Sequence, residues 1–299
     1  MIELTVRDGA LRQGFGGDTL NTAVYLARQM DPEQFRVCYV TGLGRDPFSA
    51  AMTLAWRAEG IDTDHIVYSD KRLPGMYYIE TAADGERHFY YWRGEAAARF
   101  WMETPQGREV CRKLTDFDVL YVSGISLAIL EPKSRSQLFN TLSACREKGG
   151  RIFFDNNYRP SLWPSREEAQ QVYRRMLGIT DTAFLTLDDE AALWGTASLI
   201  ELHNRCDQAG VREVVIKRGQ ASCLIMKDVE TLEIPAVRLE PESVKDTTAA
   251  GDSFSAGYMA ARLLGGDVED SARQGHLLAS IVIQYPGAII PADAMPLNV

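Results

Sequence analysis

The chain has 299 residues, 45% of them hydrophobic, enough for one large core or two modest ones. Its formal charge of −9, from 32 basic and 41 acidic residues with no basic stripe, argues against a nucleic-acid partner and means that any anionic ligand needs a local cluster of donors. No apolar run approaches the roughly 18 residues of a membrane span and the first twenty lack a secretory pattern, so a cytoplasmic protein with no membrane partner is expected.

Near the start, "GFGGDTLNTAVYLARQM" joins Gly14, Gly16 and Gly17 to a helix with an apolar stripe of Leu20, Ala23, Val24, Ala27 and Met30 and with Asp18 as its expected N-cap. "FRVCYVTGLG" (35–44) predicts a strand and residues 47–59 a helix. Residues 65–95 break this rhythm with two β runs around Asp84-Gly85, a hairpin-turn pair. Both arms carry aromatics (Tyr77, Tyr78, Phe89, Tyr90, Tyr91, Trp92) and end at Arg93, which predicts a flap over a pocket. From about residue 100, short apolar runs, "DVLYVSG" (118–124), "RIFFDNN" (151–157), "TAFLTL" (182–187) and "REVVIKRG" (212–219), alternate with helical segments near 132–148, 166–178 and 198–209. That alternation predicts an α/β fold around a buried, mostly parallel sheet. The five cysteines (Cys38, Cys111, Cys145, Cys206, Cys223) have no CxxC or Cys/His spacing and read as reduced thiols, and the four isolated histidines argue against a zinc site.

The most informative stretch is "DTTAAGDSFSAG" (246–257). Ala249, Ala250 and Gly251 precede an apolar periodic run, so their N–H groups are expected at a helix start, where anions bind. Asp252 stands in the first turn, where the dipole favours its ionised form. Base and anion hole can serve different atoms of one displacement: the carboxylate takes a proton from an alcohol while the N–H groups steady the phosphoryl group that the alcohol attacks.

Asp-Thr-x-Ala-Ala-Gly-Asp-x-Phe-x-x-Gly resembles the carboxy-terminal signature of the ribokinase-like (PfkB) carbohydrate kinases, and "GGDTLNTA" resembles their sugar-binding Gly-Gly-x-x-x-Asn element. "RLPGMYYIET", "FYYWRGEAA" and "FDNNYRP" look most like the branch of the family that acts on 2-keto-3-deoxygluconate. The resemblance spans nearly the whole chain and implies a ribokinase-like three-layer α/β sandwich with a small β lid: a core of 17–69 and 96–299, a lid of 1–16 and 70–95. It implies ATP-dependent phosphorylation of the sugar acid at its 6-hydroxyl, with ATP and Mg²⁺ required and a homo-oligomer formed.

The resemblance also assigns residues. Asp252 would be the base and Ala249, Ala250 and Gly251 the anion hole. Gly16, Gly17 and Asn21 would grip sugar hydroxyls, and Tyr77, Tyr91 and Arg93 would reach the sugar acid from the hairpin. Arg159 would approach the substrate carboxylate or the phosphate. Lys217, Arg218 and Gly219 would lie beside the nucleotide phosphates, the adenine near Ala288 and 275–287, and Glu190 would organise Mg²⁺ through water. Independently of the family, a sugar carboxylate calls for arginine forks and tyrosine donors, and Tyr91 and Arg93 stand two apart on one strand. Two departures from the pattern stand out. The family's first strand, with its Gly-Glu or Gly-Asp pair, is expected before Met1 and is missing, and the Asn three residues before the glutamate is replaced by Leu187. A fructokinase, a ribokinase and a non-catalytic sugar-acid sensor stand as alternatives.

Overall fold

The structure, a computed structural model, describes residues 1–7, 9–81, 87–227 and 230–296; the turn pair Asp84-Gly85 lies outside them. Two compact units form, Met1–Arg108 and Glu109–Val299, a division drawn along other lines than the expected core and lid.

The first unit contains β1 (Ile2–Arg7), β2 (Ala10–Phe15), α1 (Asp18–Ala27), β3 (Gly42–Leu43), α2 (Pro47–Ala58), β4 (Val67–Tyr68), β5 (Met76–Thr81) and β6 (Arg87–Trp92). Four of its strands make one sheet in the order β2-β1-β5-β6, with β1 parallel to β5 and the two outer pairs antiparallel. The register Gly14↔Glu3↔Tyr77↔Tyr91 puts alternate aromatics on opposite faces, since side chains alternate along a strand. Tyr77, Phe89 and Tyr91 share one face; Tyr78, Tyr90 and Trp92 share the other. The strand expected over 35–44 does not form as one piece. Its backbone pairs only through the bridge Cys38↔Asp62 and through β3 with β4, because the partner segment is interrupted by a turn closed by Ile66 N–H on the Thr63 carbonyl. Asp18 is the first residue of α1 and Gly17 is its cap, a correction to the expected N-cap. Gly17 has φ 146°, which excludes side chains, and a Cβ on Gly16 would lie 2.4 Å from the Tyr77 hydroxyl.

After α3 (Pro105–Leu114), which spans the division, come β7 (Val119–Ser123), α4 (Gly124–Ala128), α5 (Pro132–Glu147), β8 (Arg151–Asp155), α6 (Arg166–Leu177), β9 (Thr182–Thr186), α7 (Leu187–Trp194) and α8 (Leu199–Ala209). Then follow β10 (Glu213–Lys217), β11 (Cys223–Lys227), β12 (Glu230–Ile234), α9 (Ala250–Leu263) and α10 (Val268–Val282). Strands β7, β8, β9 and β10 pair in parallel, and β11 and β12 extend the sheet antiparallel. Ile152, Phe154, Phe184 and Val215 are fully buried, as the apolar runs require of strands covered on both faces. Parallel strands place "DNNYRP", "LTLDDE" and "KRG" together after the carboxy-terminal ends of β8, β9 and β10, the edge where open α/β sheets bind ligands.

Candidate active site

The tip of α9 carries the predicted nest. Ala249 caps the helix in the left-handed region, φ 62° and ψ 13°, and the next residue turns into the helix, so successive N–H groups line a concavity. A left-handed alanine costs about 1–2 kcal/mol, the kind of strain that functional turns retain. One expected donor is turned back: Ala250 N–H reaches the Thr247 carbonyl at 3.2 Å. Asp252 stands half-buried in the first turn rather than in packed interior. Lys217 Nζ lies against the tip, 3.5 Å from where a Cβ on Gly251 would be. Asp246 secures the approach to the helix, accepting N–H bonds from Thr248 and Gly287, both 2.8 Å. Ala288 is the next residue and is buried.

Beyond β8, the loop is held by the start of α7. Asn156 donates to Glu190 Oε1 (3.1 Å) and to the Thr186 carbonyl (3.2 Å), and its own oxygen accepts the Asn157 and Thr186 N–H groups. Arg159 is half-exposed beside Asp189 at 3.3 Å, and Asp189 also accepts Tyr158 N–H at 3.1 Å. Burial pushes the Asp189 carboxyl up, against the pull of Arg159. Burial likewise pushes Glu190 up, partly offset by Asn156 and Arg205. With its side chain 5% exposed, one Glu190 oxygen on Asn156 and the other on Arg205 at 3.1 Å, Glu190 does not fit direct ligation of Mg²⁺. Arg218 is spent on Ser222 and on Glu233 (2.5 Å), while Gly219 next to it stands at φ 61° with open space around it.

In the first unit, the face with Tyr77 also carries Arg93, whose guanidinium lies 4.2 Å over the Tyr91 ring, itself 5.9 Å from the Tyr77 ring. Gly16 abuts the Tyr77 hydroxyl, which donates to Glu3 Oε2 at 2.5 Å. Asn21, buried in α1, follows Gly17, whose carbonyl accepts the Asn21 N–H at 2.8 Å. So Gly16, Tyr77, Tyr91 and Arg93 gather on one sheet face, while Asp252, Lys217, Arg159 and Glu190 belong to the second unit.

Sequence reasoning missed Glu3, Asp155, Asp189 and Asp246. Asp246 opens the quoted signature and Asp155 opens "DNNYRP", so both were visible as motif positions without a role. Glu3 could be placed only through the strand register. It also missed that Cys38, Asp62 and His65 bring donor atoms within 4.8 Å of one another; Asp62 already pairs with Arg36 at 2.5 Å, and a thiol and an imidazole do not suit Mg²⁺.

A family model described as pfkB family carbohydrate kinase matches residues 3–295. A 2-dehydro-3-deoxygluconokinase of Escherichia coli K12 is 59% identical over 297 residues, covering 99% of this chain and 96% of that protein. One from Haemophilus influenzae is 42% identical, covering 99% of this chain and 94% of that protein. In fold, the chain is similar to a fructokinase of Xylella fastidiosa with bound ATP (TM-score 0.83, 22% identity, 100% of this chain and 93% of that one). It is similar also to the 2-dehydro-3-deoxygluconokinase of Thermotoga maritima (TM-score 0.81, 22% identity, 97% and 93%). With its signature stretch at the start of α9 and residues 3–295 matched, the chain belongs to the pfkB family of carbohydrate kinases.

Proposed function

We propose that this chain transfers the γ-phosphoryl group of ATP to the 6-hydroxyl of 2-keto-3-deoxygluconate, giving 2-keto-3-deoxy-6-phosphogluconate. The activity of relatives 59% and 42% identical, both 2-dehydro-3-deoxygluconokinases, supports it. The observation that carries it is the α9 tip: a half-buried carboxylate, Asp252, stands one turn from a left-handed cap, and a buried ammonium, that of Lys217, lies against Gly251. The carboxylate takes the proton of the 6-hydroxyl, the oxygen attacks the γ-phosphorus, and the bond to the bridging oxygen breaks to release ADP. The N–H groups of Ala249, Gly251 and Asp252 hold the phosphoryl oxygens as charge moves.

In this reading, residues of Met1–Arg108 supply the sugar-acid contacts. Arg93 and Tyr91 take the carboxylate, and Gly16, Gly17, Asn21 and Tyr77 the hydroxyl end. Residues of Glu109–Val299 supply the transfer chemistry, with Lys217 and Gly219 toward the nucleotide phosphates, Arg159 toward the transferring group and Ala288 toward the adenine. Arg218 joins them only by leaving Glu233. Mg²⁺ would come with ATP, and Glu190, buried on Asn156 and Arg205, would act on it only through water.

A homo-oligomer is proposed from the opposite sheet face, where Val6, Leu11, Tyr90 and Trp92 are all exposed. Among the described residues no helix is long and apolar enough to cross a membrane; a cytoplasmic location, where ATP is available, is part of the proposal. The test is a coupled ADP-release assay comparing ketodeoxygluconate, fructose and ribose. The sugar acid is expected to be preferred by at least about 10²-fold in kcat/KM, since a site built for a charged group rejects a ligand lacking it. Preference for fructose or ribose would move the chain to another branch, and sugar binding without ADP release would make it a sensor.

A further inference from the structure

We propose that Asp155 is a positioning residue for phosphoryl transfer: it anchors the Lys217 ammonium under the tip of α9, where that charge meets the phosphates. The proposal deepens the reading above and rests on it. Asp155 and Lys217 are the last residues of β8 and β10, and their side chains are 2% and 10% exposed. Lys217 Nζ lies 2.6 Å from Asp155 Oδ2 and 3.3 Å from Ser255 Oγ. The same carboxylate oxygen accepts Ser255 Oγ at 3.0 Å and Tyr121 OH at 3.2 Å. Ser255 is in α9, one turn beyond Gly251 and Asp252, so the cluster ties both strand ends to the helix that carries the nest.

A buried ion pair is a poor stability device. Two charges have lost their water, and well-packed apolar groups in their place hold a fold as well or better. Its location explains it instead. The pair sits where an anion must be met, with Nζ beside Gly251. Asp155 balances the ammonium until a phosphate arrives and fixes the place of the nitrogen to within a hydrogen bond. An ammonium has three protons, and Asp155 and Ser255 take two. A preset charge of this kind needs no reorganisation during the reaction.

The test compares Asp155→Asn, Lys217→Met and the double variant in Tm, in ATP affinity of the free enzyme by calorimetry, and in kcat and KM. Each single change leaves one buried charge unpaired and lowers Tm; the double change removes both and restores it. Asp155→Asn keeps the ammonium but not its anchor, so kcat is expected to fall by at least about 10-fold with ATP affinity within about threefold, as small misplacements act on rate. Lys217→Met and the double variant are expected to lose about 10²-fold in kcat and to weaken ATP binding, with the KM for the sugar acid within about twofold. A purely structural pair would regain kcat in step with Tm in the double variant. That result, or an Asp155→Asn enzyme within about twofold of wild-type kcat, overturns the proposal. If the singles fail to fold, the double variant decides alone. A wild-type protein that phosphorylates no sugar acid would sink the substrate assignment, while the ATP titration would still test Lys217 and Asp155.

Discussion

Gly124, at the start of α4, sets the clearance for the loop after β8, and Gly124→Ala measures how tightly that loop is held. A Cβ there would lie 2.0 Å from the Asn156 carbonyl oxygen and 2.0 Å from the Tyr173 hydroxyl, where ordinary contact begins near 3.4 Å. Both contacts must open by roughly 1.4 Å, and neither atom is the end of a flexible chain. Tyr173 is fully buried and donates to that carbonyl at 2.5 Å, and burial holds its hydroxyl protonated well above the ordinary range. Separating them breaks a buried hydrogen bond, about 1–3 kcal/mol, and overpacks the site, about 1–3 kcal/mol more. Urea unfolding should therefore show a loss of about 2–6 kcal/mol out of a total of about 5–15. Kinase activity should fall as well, because the displaced loop carries Arg159 and leaves β8 directly after Asp155. Tyr173→Phe should cost about 1–3 kcal/mol alone and rescue the double variant only in part, since the Asn156 carbonyl still meets the methyl group. A Gly124→Ala protein within about 0.5 kcal/mol of wild type would refute the reasoning.

Three other outcomes are expected. Asp46 caps α2, accepting Phe48 N–H (3.0 Å), Ser49 N–H (3.1 Å) and Ser49 Oγ (2.7 Å). Burial alone would raise its carboxyl, but these bonds together hold it below the ordinary value. Asp46→Ala should cost about 1 kcal/mol at pH 7. A depressed folded value means stability present above the unfolded pKa and lost as pH falls through the folded one, so the gap to wild type should narrow toward pH ~3; an equal gap at both pH values contradicts this. His276 is buried, accepts Cys223 N–H at 3.4 Å and stacks edge-on with Phe254 at 5.0 Å; burial lowers its pKa. The unfolded chain then binds the proton more readily, so stability should decline below pH ~6.5, and His276→Phe should flatten that slope in urea titrations between pH ~7 and ~5. Arg93→Ala should raise the KM for the sugar acid by about 10-fold or more, the worth of a charge-assisted hydrogen bond, while leaving the KM for ATP unchanged; the reverse pattern moves Arg93 to the nucleotide.

Local patterning made much of this molecule legible. The runs around Phe154, Phe184 and Val215 announced buried parallel strands because both faces are covered and apolar residues fill their central positions. The Ala-Ala-Gly-Asp stretch announced the helix start because small residues before an apolar periodic run admit little else. What stayed hidden depends on contacts between distant segments. The 35–44 run has strand composition, yet its partner segment turns at 63–66, and no pattern within 35–44 reports that. The hairpin aromatics looked like one cluster, but they alternate along β5 and β6, and the register between those strands sets which of them share a face. The antiparallel pair of β11 and β12 went unread; β11 is short and apolar, but β12, with Glu230, Thr231 and Glu233, is largely polar and exposed. The Asp155–Lys217 pair joins residues 62 apart in sequence, and Glu190 meets Arg205 and Asn156, also distant in sequence. Charge pairs of this kind leave no periodic trace.

At the centre stands the carboxylate at the α9 tip, and the most direct measurement is the turnover of Asp252→Asn on ketodeoxygluconate with saturating ATP. Asparagine keeps the shape and removes the proton acceptor, so the account predicts an unchanged Tm, retained binding of sugar acid and ATP, and a kcat lower by about 10²–10⁴-fold. An enzyme that keeps a tenth of wild-type turnover contradicts it.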